Sequence, residues 1–350
     1  MRRGTFVIIL FVLVAGAIIA ATTLLRSQPA LEITIAVDPL AEAWVRDAAL
    51  SYNESGATVG VGRRVRVLIT TRSDTQVLQT PWVPNDQAVG WIPAWSSLAA
   101  ISRGSTVTTQ TVALSLARTP LVWMSYANRE GEIPDVSWSG IQDVADNDNI
   151  NLAFSLPPQS VQGLASLISA VADFHQTGIL SDSMLSDSAM RAWLMPLIGS
   201  VPNFNTFGPN VALYVAGPQG GTVDAAIAPE SQWLAALNTL TAKGQPRFAY
   251  PAFPVVFDFP FITLRDIATT DDEISAAQSF AAYLSSSAQQ QNLERFGLRP
   301  AQIDPQATSA VFGTAQQYGI AATLPSAQPV QLPSSSSVLS LLTWFNSANR

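Results

Sequence analysis

The 350-residue sequence contains no cysteine and a single histidine, His175. The absence of cysteine excludes disulfides, thiolate zinc sites, cysteine nucleophiles and a lipid anchor attached to an N-terminal cysteine. One histidine excludes a metal site built from several histidines, and only His175 could serve in a Ser-His-Asp triad. Because no G-x-S-x-G nucleophile motif accompanies it, we expect no enzymatic activity and no cofactor or metal.

Charged residues are also scarce, at 12% of the chain against 48% apolar residues. The 18 Lys and Arg residues are outnumbered by 25 Asp and Glu residues, which gives a net charge of −7. Nucleic-acid binding is not expected, because neutralisation of phosphates by basic side chains supplies much of that affinity. The apolar content is too high for a disordered chain, and the length is sufficient for two domains.

The N-terminus holds the longest stretch of low polarity. A run of 20 such residues, Phe6–Leu25, follows Arg2 and Arg3. A helix of this length matches the hydrocarbon core of a bilayer, which is roughly 30 Å thick. Basic residues before the run favour a cytoplasmic N-terminus. We therefore predict a short cytoplasmic segment at 1–4 and a single membrane anchor at 5–26.

The same stretch also fits a cleaved signal peptide. Phe6–Val14 would form its apolar core, and the small residues Ala15–Ala17 would form the cleavage site. The apolar run continues as far as Leu25, so cleavage there would leave an apolar new N-terminus, which favours the anchor. Both alternatives place the chain after residue 30 outside the cytoplasm, either anchored in the cell membrane or secreted.

The chain after residue 30 opens with a β-α-β pattern. Leu31–Val37 alternates apolar and polar residues as a strand does. Asp38 can cap the helix that follows, with Pro39 at its first position. Arg64–Thr70 indicates a second strand. This pattern predicts an α/β fold in which helices cover a sheet with parallel strands.

The segment Pro157–Gly163, with the sequence PPQSVQG, is the strongest candidate for a binding site. It follows a short predicted strand and precedes an apolar helix, for which Ser160 is the expected N-cap. Unpaired N–H groups at the start of a helix can bind a carboxylate, a phosphate or another oxyanion. A capped helix start without a ligand is the alternative.

Three tryptophans, Trp82, Trp91 and Trp95, lie close together in a proline-rich stretch. Their side chains fit the lining of a cleft for a sugar or an apolar ligand. Packing in a hydrophobic core is the commoner use of such side chains, and both interpretations stay open at the level of the sequence.

Several short segments follow one another in an order that is typical of a known family. They are ITIAVDPLAEAWVRDAALSYNES (33–55), WIPAWSS (91–97), ARTPLVWMSY (117–126), PPQSVQG (157–163), VDAAIAPESQW (223–233), YPAFPVVFDFPFITL (250–264) and FGLRP (296–300). In this order the chain resembles extracytoplasmic solute-binding proteins of the type II periplasmic-binding fold. More narrowly, it is similar to the solute-binding-like domain of bacterial membrane proteins that carry a von Willebrand A-type domain.

The resemblance implies a two-lobed α/β fold with a central sheet in each lobe and a ligand held between the lobes. The chain would cross between lobes near residues 120 and 250, so that 31–120 and 251–350 form lobe one and 121–250 forms lobe two. Ligands of such folds lie at the carboxyl ends of strands, and hinge closure is the expected motion. By position in the family pattern, the residues facing the cleft would be Asp38, Ser96, Ser97, Thr119, Ser160, Asp224, Glu230 and Tyr250.

The function implied by the resemblance is capture of a small polar solute for a transporter or sensor. The expected partner is an ABC-type permease or a von Willebrand A-domain protein. Trp95 and Asp38 stand where the family usually has small polar residues, and they disfavour a small oxyanion as the ligand. The alternative is a pair of lobes that binds no ligand and serves as a scaffold or interaction module at the cell surface.

Overall fold

Strands and helices alternate along most of the chain. The computed structural model describes residues 11, 13–16, 29–60, 62–102, 104, 106–147, 150–302, 309–324 and 330–349. The strands within these ranges are β1 (Leu31–Val37), β2 (Thr58–Val59), β3 (Arg63–Thr71), β4 (Ala88–Ile92), β5 (Thr108–Ala113), β6 (Ala117–Tyr126), β7 (Leu152–Ala153), β8 (Ala225–Pro229), β9 (Pro246–Ala249), β10 (Val256–Phe257), β11 (Phe261–Arg265) and β12 (Arg299–Pro300). The helices of the same ranges are α1 (Glu42–Glu54), α2 (Asp74–Gln79), α3 (Ser96–Ser102), α4 (Trp138–Asn147), α5 (Val161–His175), α6 (Asp182–Ser186), α7 (Ser188–Gly199), α8 (Phe204–Phe207), α9 (Val211–Ala216), α10 (Glu230–Lys243), α11 (Asp271–Leu284), α12 (Ser287–Asn292), α13 (Ala310–Gln316) and α14 (Ser335–Ala348). Short 3₁₀ helices occupy Ala127–Arg129, Pro218–Thr222 and Leu293–Phe296.

The first sheet has the strand order β2-β3-β1-β4-β11-β5. β1 lies parallel to β3 and β4, as the β-α-β pattern predicts, whereas β11 runs antiparallel to β4 and β5. The helix after β1 begins at Glu42, so the predicted cap at Asp38 is wrong. The Asp38 carboxylate instead accepts a hydrogen bond from the backbone N–H of Leu40 at 3.0 Å. This bond forms a tight turn, and the helix starts after it, at Glu42 and not at Pro39.

Helices α1 and α11 cover one face of the first sheet. Tyr52 of α1 and Phe280 of α11 meet edge to face, with ring centroids 5.3 Å apart. On the other face, Trp82 and Trp91 also meet edge to face, at 5.8 Å. Both side chains and that of Trp95 are at most 2% exposed. The three tryptophans are therefore part of the core, and edge-to-face pairs of this kind stabilise it beyond their buried area.

The second sheet is built around β6, which pairs with β8, β9, β10 and β12. β7 joins its other side by pairing in parallel with β8. Helix α5 packs against β6 and β8 and is buried from Val161 to Asp173. Its sequence is apolar or small around the whole circumference, which is typical of a helix enclosed in a core.

Strand β6 carries the chain from the first sheet into the second. The chain leaves the first sheet after β5 and enters it again at β11. The start of β6 pairs with β10 and β12, whereas the rest pairs with β8 and β9. We call the first sheet with α1, α2, α3 and α11 lobe one, and the second sheet with α4–α10 lobe two.

The end of the chain contacts both lobes. Helix α13 packs against α10, and α14 packs against α6 of lobe two and α2 of lobe one. Phe345 of α14 is fully buried and lies edge to face with Phe204, at 5.3 Å between centroids. The lobe boundaries drawn from the sequence stay a prediction, but α14, which they assign to lobe one, does not pack on lobe one alone.

Among the residues that the structure describes, no helix has the length and apolar character needed to cross a membrane. Apart from residues 11 and 13–16, the predicted N-terminal segment at 1–4 and the anchor at 5–26 lie outside the described residues. The membrane anchor therefore stays a prediction.

Candidate ligand-binding cleft

A cavity of about 350 Å³ lies between the two lobes. It is bordered by the segments that follow β1 and β3, where the carboxyl ends of these parallel strands meet. This is the edge at which open α/β sheets bind ligands, and the volume lies within the roughly 300–1,000 Å³ of ligand pockets. The walls are formed by Pro39, Thr71, Ser73 and Gln76 of lobe one and by Leu156, Gln159, Ser160, Phe204, Asn205, Gly208 and Pro209 of lobe two.

A capping box at the start of α2 organises the lobe-one wall. The Ser73 hydroxyl accepts a hydrogen bond from the Gln76 backbone N–H, and the Gln76 side-chain oxygen accepts one from the Ser73 N–H at 3.1 Å. This reciprocal pair fixes the first turn of the helix. It leaves the Gln76 Nε2 group without a hydrogen-bond partner among the described residues, and the exposed hydroxyl of Thr71 is equally unpaired there.

The lobe-two wall is the turn that precedes α5. Ser160 is the N-cap of this helix, as predicted, and its hydroxyl accepts a hydrogen bond from the Gly163 N–H at 3.1 Å. Gly163 is required because a Cβ atom at this position would lie 2.2 Å from the Ser155 carbonyl oxygen. The PPQSVQG segment therefore combines a cap with a close approach of the helix to the segment that follows β7, which holds Gln159 and Ser160 at the cleft.

The two walls are in direct contact at one side of the cavity. The Gln79 side-chain amide of α2 donates a hydrogen bond to the Pro158 carbonyl oxygen at 3.0 Å. Helices α2 and α5 also pack against each other at this point. The lobes are therefore closed over the cavity on this side.

Of the cleft residues that the resemblance implies, Ser160 lines this cavity. Ser96 and Ser97 begin α3 and border a separate cavity of about 420 Å³, together with Leu332 near the C-terminus. The Ser96 N–H donates to the Asp258 carboxylate at 2.8 Å, and the Ser97 hydroxyl donates to the Val330 carbonyl oxygen at 2.9 Å. Both serines are thus engaged by the protein itself.

Thr119, Glu230 and Tyr250 lie together where the chain crosses between the lobes. The fully buried Glu230 carboxylate receives two hydrogen bonds from the fully buried guanidinium of Arg299, at 2.6 and 2.9 Å. The Tyr250 hydroxyl donates a further hydrogen bond to Glu230. The Thr119 hydroxyl accepts from the Ser231 N–H at 3.0 Å, at the start of the same helix. These residues form a satisfied network in the hinge, and none of the three predicted residues lines the cavity.

Asp38 and Asp224 are buried carboxylates that bind nearby backbone. Asp38 accepts a hydrogen bond from the Asp74 N–H at 3.0 Å, directly behind the lobe-one wall. Asp224 accepts from the Asn151 N–H at 2.8 Å and forms an ion pair with Arg129. Each carboxylate joins two segments of its own lobe. Pro39, the residue after Asp38, lines the cavity, whereas neither Asp38 nor Asp224 lines it.

Three carboxyl groups, Asp38, Asp74 and Asp258, cluster behind the cleft in lobe one. Burial raises the pKa values of Asp38 and Asp258 to about 6. The pKa of Asp74 is raised well above its usual range by burial and then by repulsion from Asp38 and Asp258. Asp74 Oδ2 accepts hydrogen bonds from the N–H groups of Ala94 and Trp95, whereas Oδ1 is buried without a partner among the described residues. No basic side chain contributes to these pKa values.

Most of the polar residues that line the cavity were not predicted from the sequence. Ser73 and Gln76 carry a recognisable signal, because S-x-x-Q before an apolar run is a capping box. Thr71 directly follows the predicted strand Arg64–Thr70, at the end of the strand where ligands of such folds bind. Gln159 lies inside the PPQSVQG segment that was singled out, but Asn205 has no signal in the sequence.

Within the described ranges, no three His, Asp or Glu side chains are placed so that they could hold a metal ion. His175 ends α5, where a cation is favourable for the helix dipole. Its Nε2 atom lies 3.2 Å from the Met184 carbonyl oxygen and 3.9 Å from the Asp187 carboxylate. His175 thus has the structural role of joining α5 to the start of α7.

Known structures share this two-lobed α/β fold. Iron-bound HitA from Pseudomonas aeruginosa is 17% identical, with a TM-score of 0.58, 91% of this chain covered and 99% of HitA covered. The periplasmic binding protein AfuA from Actinobacillus pleuropneumoniae, with fructose-6-phosphate bound, is 10% identical, with a TM-score of 0.60 and coverages of 91% and 98%. Thiaminase I from Bacillus thiaminolyticus is 12% identical, with a TM-score of 0.58 and coverages of 91% and 100%. At these identities the likeness establishes the fold and not the ligand.

Sequence comparison identifies the family. No curated protein sequence matches the chain, but the family model described as bacterial extracellular solute-binding protein matches residues 33–299. The predicted resemblance to solute-binding proteins is thereby confirmed, while none of the matches supports the narrower link to von Willebrand A-domain proteins. The enzyme among the structural neighbours shows that the fold also occurs with catalysis. The chain belongs to the family of bacterial extracellular solute-binding proteins.

Proposed function

We propose that this protein captures a small polar solute between its lobes and presents it to an ABC-type permease. The observation that carries the proposal is the cavity between the lobes, to which both lobes contribute polar side chains. Gln76 and Thr71 on one wall and Gln159 and Asn205 on the other have hydrogen-bonding groups that no described residue uses. Such unpaired groups at a cavity are available to a ligand.

Closure around the solute follows from the way the walls are attached. The walls belong to different lobes, which are joined by β6 and by the return segment that leads to β11. A solute that binds both walls stabilises the closed arrangement over an open one, because it binds each wall fully only when they are close. The hydrogen bond from Gln79 to Pro158 stabilises the same arrangement.

We further propose that the stretch 5–26 anchors the protein in the cell membrane with its lobes on the outer side. The apolar run Phe6–Leu25 and the two preceding arginines support this orientation. Membranes of cells that express the full chain should retain the protein after extraction with alkaline carbonate. Release into the soluble fraction, with a mature N-terminus near Ala17, would instead indicate a cleaved signal.

Ligand capture is tested by thermal unfolding of the full chain with sugars, amino acids, oxyanions and metal ions. A ligand at 100 times its dissociation constant should add about 2.7 kcal/mol to the apparent stability. Thr71→Trp places a bulky side chain in the cavity and should abolish the stabilisation. Thr108→Trp makes the same change at an exposed position of β5 outside the cavity and should retain it.

Two results would contradict the proposal. The first is that no compound of the panel stabilises the unmodified protein, which would favour a scaffold that binds no ligand. The second is that a compound stabilises Thr71→Trp as strongly as Thr108→Trp, which would place the binding site elsewhere.

A further inference from the structure

Among the described residues, none that lines the cavity between the lobes has an ionisable side chain. Its polar members are hydroxyls and carboxamides, and its remaining members are glycine, proline, leucine and phenylalanine. An ion that leaves water for such a site loses hydration without gaining a countercharge, which is costly. The lining therefore disfavours both anions and cations, although it is rich in hydrogen-bonding groups.

Two buried carboxyl groups beside the lobe-one wall add to the selection against anions. Asp38 directly precedes the wall residue Pro39, and Asp74 directly follows the wall residue Ser73. Among the described residues, no basic side chain compensates these buried carboxyls. The electropositive start of α5 is the opposing feature, but the Ser160 hydroxyl already accepts one of its free N–H groups.

Arg72, which is adjacent in sequence to the cavity wall, is already engaged. Arg72 follows Thr71 and borders a neighbouring trough of about 490 Å³. Its guanidinium forms an ion pair with Asp86 at 3.1 Å and donates to the Thr80 carbonyl oxygen at 2.7 Å. It also stacks on Trp82, at 4.0 Å from the ring centroid. A guanidinium held on three sides in this way is poorly placed to bind an anionic ligand.

Most of the unused groups of the walls can both donate and accept hydrogen bonds. This holds for the carboxamides of Gln159 and Asn205 and for the hydroxyl of Thr71, whereas the free Nε2 group of Gln76 only donates. A ligand hydroxyl has the same dual character, so a ligand with many hydroxyls can satisfy all of these groups. Pro39 and Pro209 add apolar surface on the two walls, against which the C–H faces of a sugar ring can pack.

The neighbouring trough extends the space that is available to a ligand in the cavity. It shares Thr71 and Gln76 with the cavity between the lobes, so the two spaces are adjacent. Its lining also contains Arg72 and Asp86, whose charges are paired with each other, and Thr70, Gln79 and Thr80 add neutral polar groups beside them. We propose that the ligand is a neutral carbohydrate of more than one ring, which lies in the cavity and extends into this trough; this inference rests on the proposed solute-binding function.

Isothermal titration calorimetry of the full chain, in a detergent without a sugar headgroup, tests the inference. The neutral probes are maltose, maltotriose and trehalose, and the charged probes are molybdate, sulfate, fructose-6-phosphate, glutamate and arginine. At least one neutral probe should bind, and the charged probes should not. Gln159→Ala and Asn205→Ala should each weaken that binding about 2- to 10-fold, since a neutral hydrogen bond contributes modestly to a net affinity.

Matched controls separate loss of binding from loss of folding. Gln317→Ala and Asn238→Ala change the same side chains at exposed positions outside both cavities, and they should leave the affinity unchanged. All four variants should keep the unfolding midpoint of the unmodified protein, because the replaced side chains are exposed.

The outcomes distinguish this inference from the proposed function. Binding of a charged probe that is weakened by Gln159→Ala or Asn205→Ala would overturn the carbohydrate but retain solute capture in the cleft. Binding of a neutral probe that neither substitution weakens would show that the sugar lies elsewhere, which also overturns the inference. If no probe binds, neither the inference nor the proposed function stands.

Discussion

Replacing the Asp258 carboxyl by a carboxamide should make the protein less sensitive to pH. Burial raises the pKa of Asp258 from its ordinary value of 3.8 to about 6, although hydrogen bonds from Ser96 oppose this rise. The difference corresponds to up to about 3 kcal/mol, at about 1.4 kcal/mol for each pKa unit. Asp258→Asn retains an oxygen that can accept the hydrogen bond from the Ser96 N–H, and it removes the charge.

The direction of the effect follows from linkage between protonation and folding. A carboxyl whose pKa is higher in the folded state contributes stability below pH 3.8, and this contribution is lost as the pH rises through about 6. The free energy of unfolding of Asp258→Asn should therefore rise relative to that of the unmodified protein between pH 4 and pH 6.5. The relative gain should reach up to about 3 kcal/mol and then remain constant at higher pH.

Urea denaturation at a series of pH values measures this difference directly. Asp143→Asn is the matched control, because Asp143 is exposed on α4 and its replacement should give a nearly constant difference over the same range. A difference for Asp258→Asn that is as flat as that of the control would refute the reasoning. A difference that falls with rising pH would refute it as well, because it would mean that the folded state favours the charged carboxylate.

Two further substitutions test the hinge and the cleft wall. Glu230→Gln should lower the free energy of unfolding in urea by about 3–5 kcal/mol, because it removes the carboxylate charge that binds the buried Arg299 guanidinium, and adding Arg299→Met should recover part of that loss. A loss below about 1 kcal/mol, or no recovery in the double variant, would contradict this account. Gly163→Ala should cost about 1–3 kcal/mol in the same assay, because its Cβ atom would lie 2.2 Å from the Ser155 carbonyl oxygen, whereas Gly199→Ala, with no atom within 4 Å, should cost nothing. Equal stability of these two alanine variants would show that α5 is not packed tightly against the Ser155 carbonyl oxygen.

Local sequence patterns predicted those features of the cleft, such as helix caps, that depend on residues close together along the chain. Ser160 was recognised as an N-cap because its role requires only the three residues that follow it. The capping box of Thr270 and Glu273 at the start of α11 depends on the same short spacing along the chain. The PPQSVQG segment was selected as a binding site, and its turn does form one wall of the cavity. Short-range hydrogen bonding is thus readable from sequence, since spacing along the chain determines it.

Long-range pairing could not be read in the same way. Glu230 was placed in the cleft by its position in the family pattern, but it is bound by Arg299, which lies 69 residues further along the chain. The FGLRP segment that contains this arginine was noted as part of the resemblance and was given no role. Asn205 reaches the cleft through the path of the chain after α7, and nothing in its neighbourhood marks it. Pairings of this kind depend on how the lobes are assembled, which a single sequence does not specify.

The polar side chains of the hinge bind one another, whereas several of those in the cleft are unpaired among the described residues, and this difference bears on function. Glu230 and Arg299 are buried, Tyr250 is half-buried, and the three bind one another, so a ligand could reach them only by breaking this network. The side chains of Gln159 and Asn205 are exposed and bind no described residue, so a ligand can use them without loss of any internal contact. The buried network fixes the strands that join the lobes, and closure can then act on walls whose hydrogen-bonding groups are still free. Binding energy from these groups is accordingly available to hold the lobes together around a solute.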